Sequence, residues 1–295
     1  MTSIRILTVC AAGYAVITPA FAAPDRPACD VTIQELGEAK VNHYNALDGG
    51  DYLEPIRLRL RNKGDGTCVG AVKISRITGS PELIGPHGGK LTYTIVAEND
   101  LGRVVYDPAT NIGSLIPVSI PGRATTEISP RLFVSGSQPG RAGRYAATLE
   151  ASFVPAGNNL AADAAQFTVS AQVTPSVQAN FVGSTNPQHA HLDLGELAPN
   201  KQGSISLQIR TSSEYQISFQ SENRGNLKGP AETFIPYSMT YAGRLIDLSR
   251  TDEQQFNPAD PVRPQTNFIN VVVGQFQRAR SGTYVDQVTI TISAL

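Results

Sequence analysis

The chain has 295 residues, 41% of them hydrophobic, with 26 glycines, 20 prolines and no tryptophan. That length suits two domains with ordinary apolar cores, and glycine and proline at short intervals argue against helical bundles and for strands and turns. A formal net charge of -1 at pH 7, with no basic stripe or charge run, argues against a nucleic-acid or anionic-lipid surface.

Residues 1–22 read as a secretory signal. Arg5 supplies the positive start, residues 6–20 are mostly apolar, and Ala20-Phe21-Ala22 fits the small-x-small cleavage rule. Cys10 does not read as a lipid-attachment site, because Val9 stands where a small residue is wanted. No other run approaches the roughly 18 apolar residues of a membrane span. Cys29 and Cys68 remain after cleavage. Export exposes them to oxidation, which favours a disulfide; the alternative is two buried thiols.

Strands and turns follow. Ile56-Arg57-Leu58-Arg59-Leu60-Arg61 alternates strictly, which puts the aliphatic side chains on one face and the arginines on the other. Residues 62–66 are a turn, and strands are predicted over 69–77, 91–96, 115–120 and 124–134. Gly85-Pro86-His87-Gly88-Gly89 lacks the following helix of a phosphate-binding loop and reads as a turn. Gly143-Arg144-Tyr145 opens an alternating strand to Phe153. Residues 158–165 read as a linker. The alternating Phe167, Val169, Ala171 and Val173 are predicted to open a second domain, followed by strands at 205–210, 215–219, 235–241 and 268–273. The last strand starts at Gly282-Thr283-Tyr284 and puts Tyr284, Val288, Ile290 and Ile292 on one face, with Asp286 as the polar break in that row.

Three landmarks recur in the same order: an alternating strand ending in Arg (Arg61, Arg210), a Tyr-centred strand (Tyr93, Tyr237) and the Gly-x-Tyr strand (Tyr145, Tyr284). Shared order and spacing indicate duplication of a whole domain. The expected fold is therefore all-β: two immunoglobulin-like β-sandwich domains, the second lacking one strand. The expected boundaries are 23–157 for the first domain and 166–295 for the second.

Signals for catalysis are weak. No Gly-x-Ser-x-Gly elbow or Walker loop occurs, and the carboxylates are spread mostly singly. His189 and His191 with Asp193 could approach a metal, but Pro187 and Gln188 point to a solvated loop. No catalytic residue, metal or cofactor is assigned, and no enzyme activity is expected.

The second unit resembles the spore coat U domain of archaic chaperone–usher pili. Residues 167–173 look like that family's first strand, and Leu192-Asp193-Leu194-Gly195 like its Leu-Asp-Phe-Gly turn. Tyr215 onward, with Ser221-Glu222-Asn223, looks like its central strand and turn. Gly282-Thr283-Tyr284-x-Asp286-x-Val288-Thr289-Ile290 looks like its terminal signature. The first unit matches more loosely, through Cys29, Cys68, Tyr93 and Gly143-x-Tyr145. The resemblance implies a secreted pilus tip subunit carried through the periplasm to the cell surface. Its partners would be a periplasmic chaperone, an outer-membrane usher and an adjacent pilin subunit. It would complete its second domain by accepting a strand, and would touch an abiotic or host surface through the first. Tyr284, Val288, Ile290 and Ile292 would line the acceptor groove. The short, proline-containing start at 23–29 offers no alternating segment to donate, which fits the tip position. Contact loops are expected at the far pole of the first domain. Two loops are unusually apolar, 80–86 with Leu83 and Ile84, and 111–118 with Ile112, Leu115 and Ile116; the alternative is that these side chains fold into the core. Two other readings stand beside this one, a self-contained secreted coat protein and a carbohydrate-binding β-sandwich protein.

Overall fold

The computed structural model describes residues 28–295 apart from 35, 36, 78, 159, 259, 261 and 262. The expected signal segment lies outside the described residues. Among the described residues the only helical pieces are two three-residue 3-10 turns, Pro86–Gly88 and Pro230–Glu232. No helix there is long and apolar enough to cross a membrane. The chain is all-β, as expected, and its strands form sheets that pack face to face around two separate apolar cores.

The first core shows how alternation becomes architecture. In Leu58–Asn62 the inward Leu58 and Leu60 are fully buried and the outward Arg59 and Arg61 are exposed. This strand lies between Val31–Gln34 and Thr125–Ile128. Against it packs a sheet ordered Ile116–Ile120, Cys68–Arg76, Gly143–Pro155, Asp163–Val173, Ala39–Tyr44. A third sheet joins Thr94–Val96, Arg131–Val134 and Tyr52–Pro55, with the Val104–Asp107 and Ile112–Gly113 pair at its rim. Cys29 and Cys68 form a disulfide with 5.1 Å between their Cα atoms and 39 residues of sequence separation. Its reduction is expected to destabilise the first unit by about 3–4 kcal/mol, because the unfolded chain regains a large loop. Denaturant melts with and without reductant will show the first unit's transition shift while the second unit's stays in place.

The boundary between the units differs from the sequence reading. Residues 163–173 do not open the second unit. They form an 11-residue strand paired antiparallel, residue for residue, with Gly143–Pro155 and parallel with Ala39–Tyr44. Phe167, Val169, Ala171 and Val173 are buried in the first core. Most of the expected linker is accordingly the end of a hairpin. Alternation says that a strand has one buried face; it does not say which core buries it.

The crossing lies at 174–176. There Ser212, 1% exposed, accepts a hydrogen bond from the Ser176 amide at its Oγ (2.9 Å) and donates to the Thr174 carbonyl (3.0 Å). Its own carbonyl accepts the Ala142 amide of the first unit at 2.7 Å. The second unit places Val177–Phe181, Gln202–Thr211, Gln265–Val273, Phe234–Tyr241 and Asn226–Lys228 in one sheet, and Asp252–Phe256, Tyr215–Ser221 and Val288–Ala294 in the other. Leu207, Ile209, Ile217, Phe219, Met239 and Ile269 fill the space between them. The Tyr215 and Tyr241 hydroxyls meet there at 3.2 Å.

Candidate functional site: an open strand edge in the second unit

The two Gly-x-Tyr strands are built alike. Gly143 and Gly282 hold φ of 139° and 148°, a region open to glycine. The tyrosine ring then lies on a second glycine. A Cβ at Gly85 would meet the Tyr145 ring at 2.5 Å, and one at Gly229 would meet Tyr284 at 2.3 Å. In both units that second glycine precedes a proline-led 3-10 turn. Gly85-Pro86 is thus a turn, as the sequence reading has it, and Gly229-Pro230 is its counterpart, a fourth repeated landmark that the sequence reading missed. The neighbouring strand also repeats in register. Leu149 lies opposite Arg76 and Val288 opposite Ser221; Phe153 lies opposite Val72 and Ile292 opposite Ile217.

The units differ at the other edge. Gly143–Pro155 is paired on both sides, by Cys68–Arg76 and by Asp163–Val173. Val288–Ala294 is paired by Tyr215–Ser221 on one side, and no strand among the described residues pairs with the other. Burial follows from this. Tyr145, Leu149, Ala151 and Phe153 are fully buried. Tyr284, Val288, Ile290 and Ile292 are only partly covered. Val177–Phe181 lies across from the terminal strand in the facing sheet, and its Val177, Ala179 and Phe181, with nearby Ile205, are partly covered too. Partly covered apolar side chains of both sheets thus lie beside an edge that no described strand pairs.

Asp286 pins the start of this edge. Its Oδ1 accepts the Asn223 amide at 2.9 Å and Asn223 Nδ2 at 3.0 Å, while Oδ2 accepts Ser221 Oγ at 2.6 Å and the Tyr237 hydroxyl at 2.5 Å. The polar break in the terminal row is therefore a tie between three segments. Burial raises the Tyr237 phenol well above its ordinary range, and the Asp286 hydrogen bond and charge raise it further. Burial likewise raises Tyr93 and Tyr241. A raised folded-state pKa contributes stability that is complete below the unfolded phenol value of about 10 and is lost as pH rises through the folded values. Both units are therefore expected to loosen above about pH 10. Ultraviolet titration should show tyrosinate from these residues appearing only as the protein unfolds.

The apolar loop candidates do not form one surface. Leu83 is fully buried and pairs with Leu91, so it cannot be an exposed contact. Ile84, 41% exposed, lies opposite Ala146. That loop leans on Tyr145 and Gly143, beside the Ala142 contact with the second unit, so it sits at the near pole and not the far one. Ile116 pairs with Val72 and packs against the core. Ile112 and Leu115 remain exposed, at 70% and 52%. The sequence reading missed Leu160, 74% exposed on the far hairpin end, and exposed Val69, whose carbonyl accepts the Ala156 amide there. Pro155-Ala156-Gly157 between two alternating stretches was the available signal for that hairpin. His189, His191 and Asp193 lie exposed on a loop, where Asp193 accepts the Gly195 amide at 2.8 Å.

No protein-family model matches the chain, and no curated protein matches it. Solved structures do. One is the CsuC–CsuE chaperone–tip adhesion subunit pre-assembly complex from archaic chaperone–usher Csu pili of Acinetobacter baumannii. The match has 14% identity and a TM-score of 0.46, and covers 90% of this chain and 100% of that one. A second is a mutant form of the CFA/I adhesin CfaE of enterotoxigenic Escherichia coli, at 12% identity and a TM-score of 0.42, covering 89% and 93%. A third is the CupB6 tip adhesin of Pseudomonas aeruginosa, at 10% identity and a TM-score of 0.35, covering 89% and 92%.

Proposed function

We propose that this protein is an exported adhesive subunit of a chaperone–usher surface fibre, related to the spore coat U proteins. Its second unit takes a strand from another chain along Val288–Ala294, first from a periplasmic chaperone and then, after passage through the usher, from an adjacent subunit. Its first unit makes the surface contact. The observation that carries this reading is the open edge of the terminal strand, whose counterpart in the first unit is filled. An added strand would pair its backbone with that edge and place alternate apolar side chains between Ile290 and Ala179. Exposed Ile112, Leu115, Leu160 and Val69 give the first unit apolar side chains to present to an abiotic or host surface.

Co-expression of the full chain with a periplasmic chaperone of this class is expected to yield a stable complex in which the Val288–Ala294 amides resist hydrogen exchange. Equal protection of those amides in the monomeric chain purified alone would sink the proposal and favour a self-contained coat protein.

A further inference from the structure

The first unit holds a filled copy of the edge that the second leaves open. The filling strand Asp163–Val173 runs antiparallel to its partner, and its buried side chains stand at set places: Ala171 opposite Tyr145, Val169 opposite Ala147 and Phe167 opposite Leu149. Residues directly opposite in an antiparallel pair share a face, so each of these pairs is also a packing pair. The shared register of the neighbouring strand carries Tyr145 onto Tyr284, Ala147 onto Asp286 and Leu149 onto Val288.

We infer that the open edge selects an antiparallel segment with a small residue facing Tyr284 and a bulky apolar residue, four positions earlier in the segment, facing Val288. This rests on the acceptor reading above and adds the chemistry and register of the occupant. Tyr284 cannot swing aside for a large neighbour. Its ring lies on Gly229, and its hydroxyl is held by Thr233 Oγ1 at 2.9 Å and by the Arg280 amide and carbonyl at 3.0 Å each. A small side chain such as Ala171, which faces the equivalent Tyr145, suits a ring so fixed. Val288 is smaller than Leu149, so a ring of the size of Phe167 has more room here than in the first unit. Between them the Asp286 carboxylate is turned to Ser221, Asn223 and Tyr237, which leaves the middle place to a side chain such as Val169.

The test uses the full chain and synthetic peptides. The parent peptide has the sequence of residues 163–173, Asp-Ala-Ala-Gln-Phe-Thr-Val-Ser-Ala-Gln-Val, and two variants carry Ala171→Trp and Phe167→Ser. Each is added during refolding, and a periplasmic chaperone serves as a separate arm. Affinity comes from fluorescence anisotropy and location from hydrogen exchange. The parent peptide is expected to protect Val288–Ala294, with each variant binding on the order of ten-fold more weakly. Equal binding of all three peptides at that edge would overturn the size pattern and leave the acceptor reading standing. So would protection by the chaperone with none by the parent peptide. Protection by neither would overturn both. Protection confined to Gly143–Pro155 would mean that the peptide replaces the chain's own strand in the first unit, and would count against the pattern.

Discussion

A chain carrying Ile290→Asp will lose capture of a complementing strand, and a chain carrying Thr291→Asp will keep it. Ile290 lies opposite Phe219 on the inward face of the terminal strand and is half-buried. Thr291 is exposed on the outward face. An added strand would close over residue 290 and strip water from whatever stands there. A carboxylate without a partner in that place costs at least about 3 kcal/mol, upwards of a hundred-fold in affinity. The same charge at residue 291 stays in water and costs little. Co-purification with the chaperone, with the first unit's disulfide and denaturation transition as controls for folding, reads the outcome. Undiminished capture by the Ile290→Asp chain would place the binding edge elsewhere.

Asp286→Ala is expected to lower the stability of the second unit by about 3 kcal/mol, since the four hydrogen bonds to this carboxylate are charge-assisted and their donors lose their acceptor together. The Ser221 and Tyr237 hydroxyls are the costly donors, because Ser221 is buried and the Tyr237 phenol is largely out of water. Chemical denaturation should show the second unit's transition moving while the first unit's transition holds, because the equivalent place there is Ala147 and no such tie exists. Asp286→Asn should recover part of the loss, since an amide oxygen still accepts but carries no charge. If the alanine variant melts like the parent, Asp286 is not a structural tie, and its place in the terminal row has another cause.

Much of this was legible in the residues. Period-two alternation located the strands around Leu58, Leu149, Ile217 and Ile290, because each has one face in a core and one in water. The Gly-x-Tyr landmarks identified the duplicated strand, because only glycine allows the backbone to turn where the tyrosine ring packs. The cysteine pair was legible from compartment and count. The boundary was not. Phe167 to Val173 alternate as any half-buried strand does, and only the tertiary pairing with Gly143–Pro155 assigns them to the first core. The apolar loops failed for a related reason. Leu83 and Ile112 are both aliphatic residues near glycine, yet one is fully buried and the other largely exposed, because a neighbour distant in sequence covers only the first. Ser212 carried no signal at all. A serine among serines becomes the joint between units only when Thr174, Ser176 and Ala142 converge on it.

The filling strand has a mechanical consequence. It begins at the far hairpin end, runs 11 residues between two neighbouring strands and leaves the first unit directly into the crossing at 174–176. Its ladder bonds lie across its length. A tug passed from one unit to the other therefore draws this strand along its own axis and loads the whole ladder at once, in shear, instead of peeling it pair by pair.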